Sequence, residues 1–118
     1  MQRSEKTSAE KVDRVFRAFA DPTRLRILHL LRGGEVCVCD LTAVLRVPQP
    51  KVSRHLAYLR KAGLVRVRKD GLWSYYKLAA ARGGLHGKLL ECLGCCFHGV
   101  PGLRRDARNL RGVKRECC

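Results

Sequence analysis

A chain of 118 residues, with 46% hydrophobic and 30% charged residues, has the length and composition of one small globular domain, which excludes most large enzymes. Its 25 Lys and Arg against 10 Asp and Glu give a net charge of +15, which predicts a polyanionic partner, either nucleic acid or an anionic membrane surface. No apolar run is long enough to span a bilayer and residues 1–10 lack the apolar core of a signal peptide, so we expect a cytoplasmic protein with no membrane partner.

Helical spacing of apolar residues predicts three helices in the first part of the chain. The first covers about residues 8–20, where Val12, Val15, Phe16 and Phe19 form one stripe. The second follows an Asp21-Pro22 cap and stops at two glycines, residues 33 and 34. The third is short, over about residues 39–45.

A fourth helix is predicted to begin at Gln49-Pro50 and to end at Gly63. Its buried stripe is Val52, Leu56 and Leu59, because these positions fall on one side at 100° per residue. The opposite side carries a cationic and aromatic row: Lys51, Arg54, Tyr58 and Lys61. Such a row on a short helix that follows another short helix is what a reader of the DNA major groove presents.

After this helix the apolar period changes from 3.6 to 2, which predicts a β-hairpin. Val65 and Val67 alternate with arginines, Asp70-Gly71 is a turn, and residues 72–78 return as the second strand. Residues 49–77 contain eight Lys and Arg against one acid, so this quarter of the chain carries +7 of the net charge. The positive charge is therefore concentrated where a helix and a hairpin would present it to phosphate.

The C-terminal third contains a glycine joint at residues 82–84 and two further predicted helices. Leu85, Leu89, Leu93 and Phe97 mark the first of them, and residues 99–102 interrupt it. A basic stretch over residues 103–115 is the second.

Seven cysteines stand at positions 37, 39, 92, 95, 96, 117 and 118. The count is odd, and there is no secretory signal. Because cytosolic thiols are kept reduced, we expect soft-metal binding or redox sensing rather than a disulfide framework. No cysteine lies in a phosphate-cradling loop and no Cys/His/acid constellation is visible, so an enzyme is not predicted.

Three segments resemble the ArsR/SmtB family of metal-responsive repressors: ADPTRLRIL at residues 20–28, QPKVSRHL at 49–56 and DGLWSYYKL at 70–78. The resemblance implies a mainly α winged helix-turn-helix with a β-hairpin wing, and a homodimer that binds palindromic, double-stranded operator DNA until metal releases it. It places the DNA-binding domain with its N-terminal dimerisation helix at residues 1–84, and a C-terminal dimerisation helix with a cysteine-rich basic tail at 85–118.

On the same resemblance, two sets of residues are expected to contact the operator. The recognition helix would contribute Gln49, Lys51, Ser53, Arg54, His55 and Tyr58. The wing would contribute Arg66, Arg68 and Lys69.

The segment EVCVCDL at residues 35–41 is similar to the motif of arsenic and antimony sensors, and of some cadmium and lead sensors. It implies arsenic(III) or antimony(III) as effector, no organic cofactor, and Cys37 and Cys39 as ligands. The arsenic motif has a third cysteine where this chain has Thr42, which leaves the third ligand open to the cysteine-rich tail. On a regular helix Cys37 and Cys39 would point to different sides, so sharing one ion would require the helix start to unwind.

Cys92, Cys95 and Cys96 form a second candidate thiol site, because Cys92 lies one helical turn from both of the others. Two alternatives to the metalloid sensor stay open. One is a redox-sensing repressor of the same fold, in which the clustered thiols oxidise. The other is a cadmium- or lead-responsive repressor of the same family, whose pattern expects N-terminal cysteines that this chain lacks.

Overall fold

A computed structural model describes residues 2–80, 84–95 and 99–117, with side chains described for 9–80, 84–95 and 99–113. Six helices and three strands occur in these ranges: α1 Gln2–Ala20, α2 Pro22–Leu30 followed by a 3-10 turn Leu31–Gly33, β1 Val36–Cys37, α3 Val38–Leu45, α4 Gln49–Lys61, β2 Val65–Asp70, β3 Trp73–Leu78, α5 Gly84–Cys95 and α6 Pro101–Cys117. The prediction of a mainly helical fold with a hairpin wing is confirmed. α1 and α6 extend beyond their predicted bounds, and residues 82 and 83 of the predicted joint lie outside the described residues.

The start of α2 follows from its first residues. The backbone N–H of Arg24 donates a hydrogen bond to Asp21 Oδ1 at 3.0 Å, and Pro22 occupies the first helical position. Both features satisfy or remove N–H groups that have no partner at a helix start. The N-cap predicted from Asp21-Pro22 is therefore confirmed.

α3 and α4 form the helix-turn-helix. α3 ends at Leu45 and is capped by Arg46, whose φ of 56° is left-handed, and Pro48 precedes the first turn of α4. Val52, Leu56 and Leu59 of α4 are fully buried, as predicted. Because one side of α4 is anchored in the core, its opposite side faces outward.

The wing is part of a three-stranded antiparallel sheet with the order β1-β3-β2. β2 and β3 pair from Val65↔Leu78 to Asp70↔Trp73, and Gly71 takes a positive φ of 60° in the turn. β1 adds Val36↔Tyr76 and Cys37↔Tyr75 to the far side of β3. β1 is not predicted from the sequence, because a two-residue strand has no periodicity and forms only where another strand offers its edge.

α6 packs against α2 and α3 and buries Leu103 and Leu110. Its Asp106 side chain is only 3% exposed and forms a bidentate ion pair with Arg26 of α2. Arg26 Nε donates to Oδ2 at 2.8 Å, and Nη2 donates to Oδ1 at 3.0 Å. α6 is thus fixed to the helix-turn-helix core. Among the described residues, no helix combines the length and apolarity needed to cross a membrane.

Candidate nucleic-acid interface and thiol sites

The first turns of α4 present a polar, cationic surface. Gln49, Lys51, Ser53 and Arg54 are all exposed. Their side chains make no ion pair with a carboxylate in the described part of the chain. These groups are therefore available for hydrogen bonds to base edges and phosphates in a groove.

His55 and Tyr58 are half-buried against Arg24 of α2. The Arg24 guanidinium lies 4.1 Å from the centroid of the Tyr58 ring, and its Nη1 lies 3.5 Å from His55 Nδ1. Arg24 Nη2 also donates to the backbone oxygen of Arg17 at 2.8 Å. Arg24 therefore links α1, α2 and α4. This role of Arg24 is not predicted from the sequence, although the residue lies in the ADPTRLRIL segment.

The pKa of the His55 imidazole is lowered from its ordinary value of 6.5. Burial is the largest cause, and the positive charges of Arg24, Lys51 and Arg54 act in the same direction. The Asp21 carboxylate opposes them without reversing the shift. At pH 7 the imidazole is therefore neutral, so His55 offers hydrogen bonds rather than a positive charge.

The three basic residues predicted on the wing are exposed, but Arg68 already has a partner. Arg68 Nη2 donates to Glu35 Oε1 at 2.7 Å, and Nε donates to Oε2 at 3.1 Å. The guanidinium also lies 4.5 Å from the centroid of the Tyr75 ring. The hydrogen bond from Arg68 is the main cause of the lowered pKa of Glu35. Glu35 immediately precedes β1, so this pair ties the wing to the segment that carries Cys37.

Cys37 and Cys39 lie at the start of α3 in different backbone conformations. Cys37 is buried at the end of β1 and is the N-cap of α3, with φ −69° and ψ 142°. Cys39 is half-buried in the first helical turn. Cys37 is thus already extended, which is the local departure from a regular helix that sharing one ion was expected to require.

The oxidation state of the cysteines differs from the expectation of reduced thiols. Cys39 is disulfide-bonded, and its partner is not among the described side chains. Cys37, Cys92 and Cys95 are not disulfide-bonded, with Cys92 half-buried and Cys95 exposed on α5. Cys96 and Cys118 lie outside the described residues, as does the side chain of Cys117. Within the described part of the chain, no three His, Cys, Asp or Glu residues gather into a metal site.

An apolar surface remains uncovered on α1 and α5. Val12 is 43% exposed, Phe16 51% and Leu85 38%. Val12, Val15 and Leu85 line one hollow together with residues at the end of α4. The two helices expected to form a dimer thus present adjoining apolar side chains to solvent.

Comparison with known proteins connects this architecture to a family. The model of the family described as "Bacterial regulatory protein, arsR family" matches residues 21–67. The arsenical resistance operon repressor of Escherichia coli (strain K12) is 52% identical over 108 residues, covering 88% of this chain and 92% of that protein.

Solved structures give the same result. Reduced HlyU from Vibrio cholerae N16961 has a TM-score of 0.67 and 34% identity, covering 83% of this chain and 99% of that chain. The homodimeric winged helix-turn-helix domain of Mb0332 from Mycobacterium bovis, a possible ArsR-family transcriptional regulator, has a TM-score of 0.66 and 29% identity. That match covers 78% of this chain and 82% of the other.

Proposed function

The chain belongs to the ArsR family of DNA-binding transcriptional repressors, and we propose that it is a repressor released from operator DNA when its cysteine thiolates bind arsenic(III) or antimony(III). The observation that carries this proposal is the position of Cys37 and Cys39. Both lie at the joint between the wing sheet and α3, and α3 leads through the turn at Arg46 into α4. The name of the Escherichia coli relative supports a metalloid as effector.

The DNA-binding surface in this proposal is the exposed side of α4 together with the wing. Gln49, Lys51, Ser53 and Arg54 would read bases and phosphates of one half-site, with neutral His55 and the Arg24-braced Tyr58 at the edge of the contact. Arg66 and Lys69 would bind phosphate directly. Arg68 would bind phosphate by exchanging its Glu35 partner.

A homodimer completes the proposal, because one winged helix reads one half-site and a two-fold axis places the second in a successive major groove. The uncovered apolar side chains of α1 and α5 are suited to that contact, since burying them removes apolar area from water. The homodimeric domain of Mycobacterium bovis Mb0332 supports this assembly.

The thiol chemistry at α3 fits a metalloid. Arsenic(III) is soft and takes three thiolates. Cys37 supplies one sulfur and Cys39 a second, while the disulfide at Cys39 implies that another cysteine sulfur lies within bonding distance of it. Reduction of that disulfide would free two thiols, and Cys37 would have to approach them for one arsenic(III) to bind all three.

Two structural connections would carry thiol binding to the DNA-binding surface. α3 positions α4 through a single turn, and β1 pairs with β3 of the wing at Cys37↔Tyr75. The Glu35–Arg68 ion pair adds a side-chain link beside that pairing. A ligand that displaces Cys37 or Cys39 would therefore act on both DNA-contacting elements, with a coupling free energy of about 1–3 kcal/mol, typical for effectors.

The test is operator binding measured by fluorescence anisotropy under full reduction, titrated with arsenite and antimonite. We expect Cys37→Ser/Cys39→Ser to bind the operator like the parent and to lose release by arsenite. The matched control is Cys92→Ser/Cys95→Ser, which removes two thiols from α5 and should still respond. If arsenite still releases the first variant from the operator but no longer releases the second, the effector site is the Cys92, Cys95 and Cys96 cluster. Cadmium and lead, titrated in the same way, test the alternative metal class.

The disulfide at Cys39 favours a second candidate, a repressor that senses oxidants through its thiols. Oxidation of two thiols to a disulfide gives up two protons and two electrons, which reduce one molecule of peroxide to two of water. This candidate predicts that peroxide releases the operator without arsenite, and that dithiothreitol restores binding. The metalloid proposal predicts release by arsenite in the presence of the reductant and none by peroxide.

A further inference from the structure

A cleft between α6 and the end of α2 is lined by arginines and lies outside the surface assigned above. It has a volume of about 550 Å³. Its cationic lining consists of Arg32, Arg104, Arg108 and Arg111, with His29 at its base, and we call it the arginine cleft. Arg32 Nη1 lies 3.3 Å from His29 Nε2.

No carboxylate among the described side chains compensates the charges in the arginine cleft. None of its four arginines forms an ion pair with a carboxylate in the described ranges, whereas Arg17, Arg26 and Arg68 all do. Bringing four guanidinium groups around one concave surface costs electrostatic free energy, because like charges repel. An anion bound in the cleft would reverse that cost.

The arginines of α6 are held in a fixed row. Positions 104, 108 and 111 recur at helical spacing, so the three side chains leave the same side of the helix. The bidentate pair between Asp106 and Arg26, and the buried Leu103 and Leu110, fix α6 against the core. The row therefore presents its charges without ordering a flexible segment first.

The row also leads toward the DNA-binding elements. Arg108 and Asn109 line an adjoining hollow with Arg46, the left-handed residue of the turn between α3 and α4. From position 104 to position 111 a helix rises about 10 Å, and all four arginines of the cleft are exposed. An open row of arginines of this length can contact successive phosphates of one DNA strand. A single small ion would instead favour a site that encloses it.

We propose that the arginine cleft binds backbone phosphates of the DNA that flanks the bases read by α4. The proposal rests on the DNA-binding role of the chain and extends it to a second surface. In it, α6 lengthens the DNA footprint without adding base specificity, since phosphate contacts carry no direct sequence information. Guanidinium groups bind phosphate through two parallel hydrogen bonds, which favours arginine over lysine in the row.

The test compares two duplexes with the full-length protein. The short duplex ends at the bases contacted by the two recognition helices, and the long duplex carries six further base pairs at each end. We expect Arg108→Ala/Arg111→Ala to bind the long duplex at least about tenfold more weakly at 0.1 M salt and to lower its salt dependence by about four units, two for each protomer of the dimer, with the short duplex bound as by the parent. Arg108→Lys/Arg111→Lys, which keeps the charge, should retain most of the salt dependence.

Arg105→Ala is the control for the double variant, because it removes an exposed arginine from the same helix outside the cleft. Arg105→Ala should bind both duplexes with the affinity of the parent.

Equal binding of the long duplex by the parent and the double variant would overturn the proposal. Equal weakening of binding to the short and the long duplex would overturn it as well. Calorimetry with inorganic phosphate tests a small anion as the ligand. If the parent binds phosphate and the double variant does not, while both bind the long duplex equally, the cleft holds a free oxyanion and the DNA proposal fails. Arsenite release from the short duplex, unchanged in the double variant, reports on the proposed function separately.

Discussion

Arg24 illustrates how one side chain prepares the recognition helix. Its guanidinium contacts the Tyr58 ring and His55, while its N–H groups donate to backbone oxygens at the end of α1. Each contact is modest, but together they hold the inner edge of α4 against two other helices. The outer edge of α4, which begins at Lys51 and Arg54, remains free for DNA.

Arg54 is the residue expected to carry the most specificity. Arg54→Ala should weaken operator binding by about 1–3 kcal/mol if the guanidinium binds a base edge through two hydrogen bonds. Arg54→Lys keeps the positive charge but cannot donate two parallel hydrogen bonds. It should therefore preserve binding to unrelated DNA and lose discrimination between operator and unrelated sequences. Competition between operator and scrambled duplexes measures both. Unchanged operator affinity in Arg54→Ala would exclude this residue from base reading.

His55 should make stability depend on pH. Its pKa is lower in the folded protein than the ordinary 6.5, so the unfolded chain binds the proton more readily as the pH falls through that value. Stability attributable to His55 is therefore present above pH 6.5 and is lost as the pH drops toward the folded pKa. Urea unfolding between pH 5 and pH 8 should show a smaller change for His55→Gln than for the parent. Parallel profiles for the two proteins would contradict this.

At the scale of elements, α6 depends on one buried ion pair. Asp106→Ala would leave Arg26, which is 32% exposed, without its carboxylate. We expect a loss of about 2–3 kcal/mol in the free energy of unfolding, below the cost of breaking a fully buried pair because Arg26 can reach water. Asp13→Ala is the control, because it breaks the exposed pair with Arg17 and should cost less than about 1 kcal/mol. Similar losses in the two variants would mean that the Asp106 pair does not anchor α6.

The wing and α3 form one connected unit rather than two neighbouring elements. β1 is short, but it ends at Cys37, pairs with β3 and passes directly into α3. Glu35 adds its ion pair with Arg68 on the outer side of the sheet. A displacement at the start of α3 therefore reaches the wing through backbone hydrogen bonds as well as through the helix-turn-helix.

At the scale of the whole molecule, the uncovered faces of α1 and α5 predict a dimer. Phe16→Glu places a charge in an apolar contact, so it should shift the protein from twice the chain mass of 13.3 kDa to the monomer in sedimentation at micromolar concentration. It should also weaken operator binding, because two half-sites are no longer bound together. Leu72→Glu, at the fully exposed wing tip, is the control and should stay dimeric. A parent that sediments as a monomer would contradict the assembly.

The sequence alone specifies the fold class, the helix-turn-helix and the hairpin. These elements depend on local signals: the cap at Asp21, the buried stripe Val52, Leu56 and Leu59, and the turn at Gly71. It also indicated the family, since three motifs stand in the right order. Caps, turns and amphipathic stripes depend on residues that are close in sequence, so the sequence pattern predicts them.

Contacts between residues far apart in the sequence depend on how the elements pack. β1 exists because β3 offers an edge, Arg68 meets Glu35 across 33 positions, and Asp106 meets Arg26 across 80. The arginine cleft likewise needs α6 beside α2, and the extended backbone of Cys37 depends on its strand partner. Such contacts join segments far apart in sequence, and no spacing rule along the chain specifies them, because they are selected by how the buried faces of the elements pack together.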